Sequence, residues 1–64
     1  MKKAIEMNTV VGHRGYTIDV FPGFMAYDCQ IFDDQNKLIF AFQVCDNLNK
    51  VIEACKTQIN DYLK

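Results

Sequence analysis

Three stretches of this chain alternate in hydropathy, and their phases agree. Residues 16–21 place Tyr16, Ile18 and Val20 on one side, residues 24–32 place Met25, Tyr27, Cys29 and Ile31 together, and residues 37–45 place Leu38, Phe40, Phe42 and Val44 together. Period-two runs rich in β-branched and aromatic residues are strands with one buried face. Pro22-Gly23 separates the first two runs and Asp33-Asp34-Gln35-Asn36 the second two, and both are turn chemistry.

Cross-strand partners share a face, so the loops can be checked against the pattern. A four-residue loop at 33–36 pairs Phe32 with Lys37, and therefore Ile31 with Leu38, Cys29 with Phe40 and Tyr27 with Phe42. A two-residue loop at 22–23 pairs Phe21 with Phe24, Val20 with Met25 and Ile18 with Tyr27. Both hairpins put the stronger apolar set on one face. L-Pro-Gly suits a type II turn better than the primed turns of tight hairpins, so this loop can open wider without changing parity. Upstream, residues 4–11 alternate loosely with Ile5, Met7 and Val11 in phase, and Gly12-His13-Arg14-Gly15 can turn that run into the next strand.

The last third changes period. Leu48, Val51, Ile52, Cys55, Ile59, Tyr62 and Leu63 follow the three-to-four spacing of an amphipathic helix. Asp46 stands where an N-cap acceptor belongs, Lys64 falls in the last turn, and Glu53 and Lys56 are spaced as a surface pair. The expected fold is α+β: a three- or four-stranded antiparallel meander (about 4–11, 15–21, 24–32 and 37–45) with one helix (about 47–63) across one face. At 64 residues this is a single domain over 1–64, and a chain so short buries only roughly 60% of its unfolded surface.

One helix leaves the other face open. Thr17, Asp19 and Phe21, then Phe24, Ala26, Asp28, Gln30 and Phe32, then Ile39, Ala41, Gln43 and Cys45 belong there by parity. The apolar members group at the two ends of the sheet, with Thr17, Asp19, Asp28 and Gln30 as a polar band between them. Apolar clusters on an open face mark a contact surface, and Phe21, Phe24, Phe32, Ile39 and Ala41 are the candidate partner-binding residues. The last strand also forms the border of a simple meander, and its seven residues 38–44 carry no charge and no proline. Such an edge templates another strand, which makes a homodimer the expected assembly, with a protein partner as the other occupant.

Composition narrows the chemistry. Seven basic and eight acidic residues leave a net charge of −1, so no concentrated positive surface is available for nucleic acid. No apolar run reaches the length of a membrane span, and charged and polar residues after Met1-Lys2-Lys3 interrupt anything like a secretory signal. Cys29, Cys45 and Cys55 are odd in number and widely spaced, which fits neither a disulfide scaffold nor a zinc site and points to reduced thiols in the cytoplasm. A Cys–His nucleophile would need His13 beside a thiol, yet these residues fall on separate elements; His13 reads as a polar turn residue. Asp19 and Asp28 lie on adjacent strands two residues out of opposition, with no third ligand or base evident. No catalytic, metal or cofactor site is expected.

The run Gly15-Tyr16-Thr17-Ile18-Asp19-Val20-Phe21-Pro22-Gly23-Phe24, followed by further strands and an amphipathic helix, resembles the sheet domain of HicB-like antitoxins. The resemblance covers roughly 15–63 and implies a truncated ribonuclease-H-like half that binds a small toxin and mediates oligomerisation. The chain departs from that family at the helix start, where Asp46-Asn47-Leu48-Asn49 replaces an acidic-alanine opening, and no DNA-binding segment follows the helix within these residues. A repressor role is therefore not implied. An inhibitor or adaptor is the neighbouring possibility. The alternative of another class is a DNA-binding sheet domain of the integrase arm-site type, which needs a sheet face studded with Arg and Lys where this chain has Asp19, Asp28 and phenylalanines.

Overall fold

The computed structural model describes residues 8–64. Four strands, β1 (Thr9–His13), β2 (Tyr16–Pro22), β3 (Tyr27–Phe32) and β4 (Leu38–Val44), form an open antiparallel sheet in the order β1-β2-β3-β4, followed by α1 (Leu48–Tyr62). This is the expected α+β meander in its four-stranded form. The part of the first expected strand that precedes residue 8 lies outside the described residues. Within them the strand runs on to His13, so Gly12 and His13 belong to β1 and the turn shrinks to Arg14-Gly15. Both turn residues have positive φ, 54° and 85°, the backbone that two-residue hairpins favour because its twist matches that of the strands.

The β2–β3 register keeps the expected parity but shifts by four residues. Pro22 faces Tyr27, Val20 faces Cys29 and Ile18 faces Ile31. The connection is the four-residue loop 23–26, closed by Gly23 N–H donating to the Ala26 carbonyl at 2.9 Å. A methyl group on Gly23 would collide with that carbonyl oxygen. The residues expected to open β3, Phe24 to Ala26, are therefore loop.

The β3–β4 hairpin departs differently. Asp33 accepts the Gln35 and Lys37 amides on one carboxylate oxygen, both at 2.9 Å, while its own backbone bonds Asn36 and Lys37. Asn36 takes the left-handed conformation with φ 66°, which Asn tolerates better than most residues. The loop thus spans 33–37, Phe32 pairs with Leu38, and a bulge follows, so that Ile31 pairs with Phe40, Cys29 with Phe42 and Tyr27 with Val44.

The core lies between α1 and the middle of the sheet. Its fully buried members are Ile18 and Val20 on β2, Cys29 and Ile31 on β3, and Val51, Cys55 and Ile59 on the helix. Val51, Cys55 and Ile59 recur at four-residue spacing, which keeps them on one stripe of the helix. Around them pack the half-buried Val11, Tyr16, Tyr27, Ile39, Phe40, Phe42, Val44, Leu48 and Ile52. Near the end of the helix, Tyr62 meets Phe40 edge-on at 5.5 Å and Tyr16 at 6.1 Å. Desolvation, followed by the nearness of Tyr62, Asp34 and Asp33, raises the Tyr16 phenol above its ordinary value.

The helix start corrects an expectation. Asn47, not Asp46, is the N-cap: its side chain accepts the Lys50 amide at 3.0 Å, and Asp46 instead accepts the Asn47 amide at 2.8 Å. The reason is geometric: the helix begins at Leu48, so Asn47 is the flanking residue whose side chain reaches the N3 amide, that of Lys50. Lys64 falls beyond the C-cap Leu63, outside the last turn, where it pairs with Asp61 at 3.8 Å. The expected Glu53–Lys56 pair is present at 3.8 Å. Asn47→Ala is expected to cost about 1 kcal/mol, and a urea denaturation midpoint measured beside the wild type checks it.

Candidate interaction surface

The helix packs on β1, β2 and β3. Among the described residues nothing covers the opposite sheet face, and β4 is an edge of the sheet. Across the open face run Val10, Asp19, Gln30 and Ala41 as one cross-strand row, with Phe21, Asp28 and Gln43 as the next and Thr17, Phe32 and Leu38 as the third. Val10 is 60% exposed, Leu38 47% and Phe21 38%.

The five candidate partner-binding residues fall in three places. Phe21, Phe32 and Ala41 lie on the open face, with Phe21 and Ala41 exposed and Phe32 half-buried. Phe24 is 98% exposed, but it belongs to the 23–26 loop and not to the sheet. Ile39 lies on the other side: it packs half-buried against the core, and Leu38 takes a place on the open face. The bulge causes this exchange, because one extra residue in β4 reverses side-chain parity for whatever precedes it. Leu38 and Val10 are the surface residues that the alternation missed. The signal for Leu38 was present in Asp33 and Asn36, whose turn chemistry favours a longer loop than the one assumed.

Both aspartates of the polar band accept a hydrogen bond from a neighbouring side-chain amide. Asp28 accepts from the Gln43 amide group at 2.7 Å, and Asp19 accepts from Asn8 at 2.7 Å. The two aspartates remain diagonal to each other, since Asp19 faces Gln30 and Asp28 faces Phe21. Among the described residues no three His, Cys, Asp or Glu side chains converge as a metal site. His13 and Arg14 both reach Asn60 of α1, at 2.9 and 3.1 Å, so the first hairpin is latched onto the helix. His13 is thus a tether rather than a free turn residue.

The described basic residues lie elsewhere: Arg14 in the first turn, Lys37 in the loop before β4, and Lys50, Lys56 and Lys64 on or after the helix. Beside the 23–26 loop a shallow cleft of about 350 Å³ is lined by Pro22, Met25, Ala26, Tyr27, Cys45 and Asp46. Cys45 is exposed, whereas Cys29 and Cys55 are buried side by side in the core. Among the described residues no helix is long and apolar enough to cross a membrane. Comparisons with protein-family models, with curated proteins and with solved structures find no match.

Proposed function

We propose that this domain is a small cytoplasmic protein-contact module, without catalysis, that assembles as a homodimer through its sheet. One observation carries the reading: β4 ends the sheet as a seven-residue edge, Leu38–Val44, without a charge or a proline. An edge of that composition exposes unpaired backbone donors and acceptors beside apolar side chains, and soluble proteins cover such edges or pair them. Phe21, Phe32, Ala41 and Leu38 on the open face extend the same contact surface around the edge strand. Phe24 adds a fully exposed aromatic at the adjoining loop.

The resemblance to HicB-like antitoxins supports this reading, since that family's sheet half binds a small protein and oligomerises. An inhibitor or adaptor would use the same surface. The free thiols fit a reducing compartment. On the open face, Asp19 and Asp28 stand where a groove-reading sheet would carry Arg and Lys, which disfavours the DNA-binding alternative. Sedimentation equilibrium tests the proposal directly. The expected result is a mass rising from the 7.4 kDa of one chain toward twice that value with concentration. A single-chain mass held up to millimolar protein would overturn it.

A further inference from the structure

The core explains how a second copy would sit. Every fully buried side chain of the sheet is on β2 or β3, and none is on β4. Ile39, Phe40, Phe42 and Val44 point to the helix side, yet all four remain only half-buried, because they lie on an edge strand that the helix reaches only near its end, with Tyr62 on Phe40. The β4 edge therefore presents two unfinished features together: an open backbone row and an apolar row that the helix covers incompletely. A strand added here satisfies both.

We propose that β4 pairs antiparallel with β4 of a second copy about a two-fold axis at Phe42, joining two sheets into one of eight strands. This rests on the reading of β4 as the contact edge and specifies its occupant and register. A two-fold axis normal to the sheet keeps the helix-side faces of both copies together, and opposed residues must then share parity. The bulge selects the axis. Regular alternation holds only from Phe40 to Val44, because Ile39 and Phe40 both lean to the helix side and Leu38 lies on the open side. The centre of that regular stretch is Phe42. Centring there sets Phe42 against Phe42, Phe40 against Val44 on the helix side, and Ala41 against Gln43 on the open side. Centring on Ala41 would set the inward Ile39 against the outward Gln43.

Charge agrees with the antiparallel sense. Lys37 stands just before β4 and Asp46 just after it. Antiparallel pairing in this register brings Lys37 of each copy within one residue of the level of Asp46 of the other, at both ends. Parallel pairing would set like against like. The Asp33 carboxylate is turned onto backbone amides of its own loop, and Asp34 stands at the tip of that turn. An interface made of one strand pair and its flanking side chains falls at or below about 1,200 Å², so this dimer dissociates on dilution.

A charge swap across the axis tests the register. Ala41 and Gln43 are both exposed on the open face, so substitutions there spare the core, and each faces the other across the proposed axis. Ala41→Lys combined with Gln43→Lys puts like charges opposite each other twice. Ala41→Glu combined with Gln43→Lys puts opposite charges there twice, and in both variants the lysine at 43 stands beside Asp28. Far-UV circular dichroism confirms that each variant is folded. At a concentration where the wild type is dimeric, the first pair is expected to halve the mass and the second to keep it. Two dimeric variants would overturn the edge register and, because Ala41 and Gln43 both lie on the open face, would move the dimer contact away from that part of the face too. Two monomeric variants would overturn the register as well. A wild type that stays monomeric would remove the dimer itself.

Discussion

Ile18→Asp is expected to leave the chain unfolded at 25 °C. Ile18 has no exposed surface, sits between Val11 on β1 and Ile31 on β3, and belongs to the core cluster that the helix covers. A carboxylate there has no buried partner, and among the described buried residues none is polar or charged. Leaving a buried charge unpaired costs several kcal/mol. A 64-residue domain has about 3–10 kcal/mol of total stability, so the cost consumes most or all of it. Loss of strand and helix signal by circular dichroism is the measurement, with Ile18→Val as the control, expected to cost about 0.5–1.5 kcal/mol and keep a cooperative melt. Phe24→Asp, at a fully exposed loop position, should melt like the wild type. An Ile18→Asp variant with a wild-type melt would sink the assignment of the core.

The thiols should divide sharply. Cys45 is exposed, whereas Cys29 is 1% exposed and Cys55 not at all. Burial pushes the Cys55 thiol up to about 12, and the neighbouring Cys29 adds to the rise; burial also raises Cys29. At pH 8 an alkylating reagent is therefore expected to modify one thiol per chain promptly. The other two wait for the fold to open, at least about a hundredfold more slowly if opening costs some 3 kcal/mol. Mass spectrometry of the time course reads this, and equal rates at all three positions would refute the packing. The same displacement sets a pH dependence. The Cys55 pKa is higher folded than unfolded, so its contribution to stability is complete below about 9 and is lost as pH climbs toward 12. The melting temperature should fall across that range, and Cys55→Ala should flatten the fall.

Much of the candidate surface could be read from the chain because alternation survives errors of register. Phe21, Phe32 and Ala41 reach the open face although the β2–β3 pairing is four residues from the simplest loop, since an even shift returns every side chain to its own side. Phe24 and Ile39 did not transfer, for different reasons. Placing Phe24 on the face extends the alternation into a loop whose length the pattern does not constrain. Placing Ile39 there rests on an unbroken period of two, which one inserted residue interrupts. The latch of His13 and Arg14 onto Asn60 joins residues 46 and 47 positions apart, and no local pattern carries such a contact.

Side-chain chemistry along the chain, by itself, determined that there are alternating strands followed by one amphipathic helix, which flanks of each are apolar, and that the last strand is uncharged. These are properties of period and composition, set within a few residues of each position. Tertiary structure alone decided the pairing registers, the exchange of Leu38 and Ile39 between faces, and the placement of the helix over β1, β2 and β3 with β4 left half-covered. The physical reason is that register follows from how each turn closes, through the Asp33 carboxylate, the left-handed Asn36 and the Gly23–Ala26 bond, and helix position follows from the packing of Val51, Cys55 and Ile59 against the sheet as a whole.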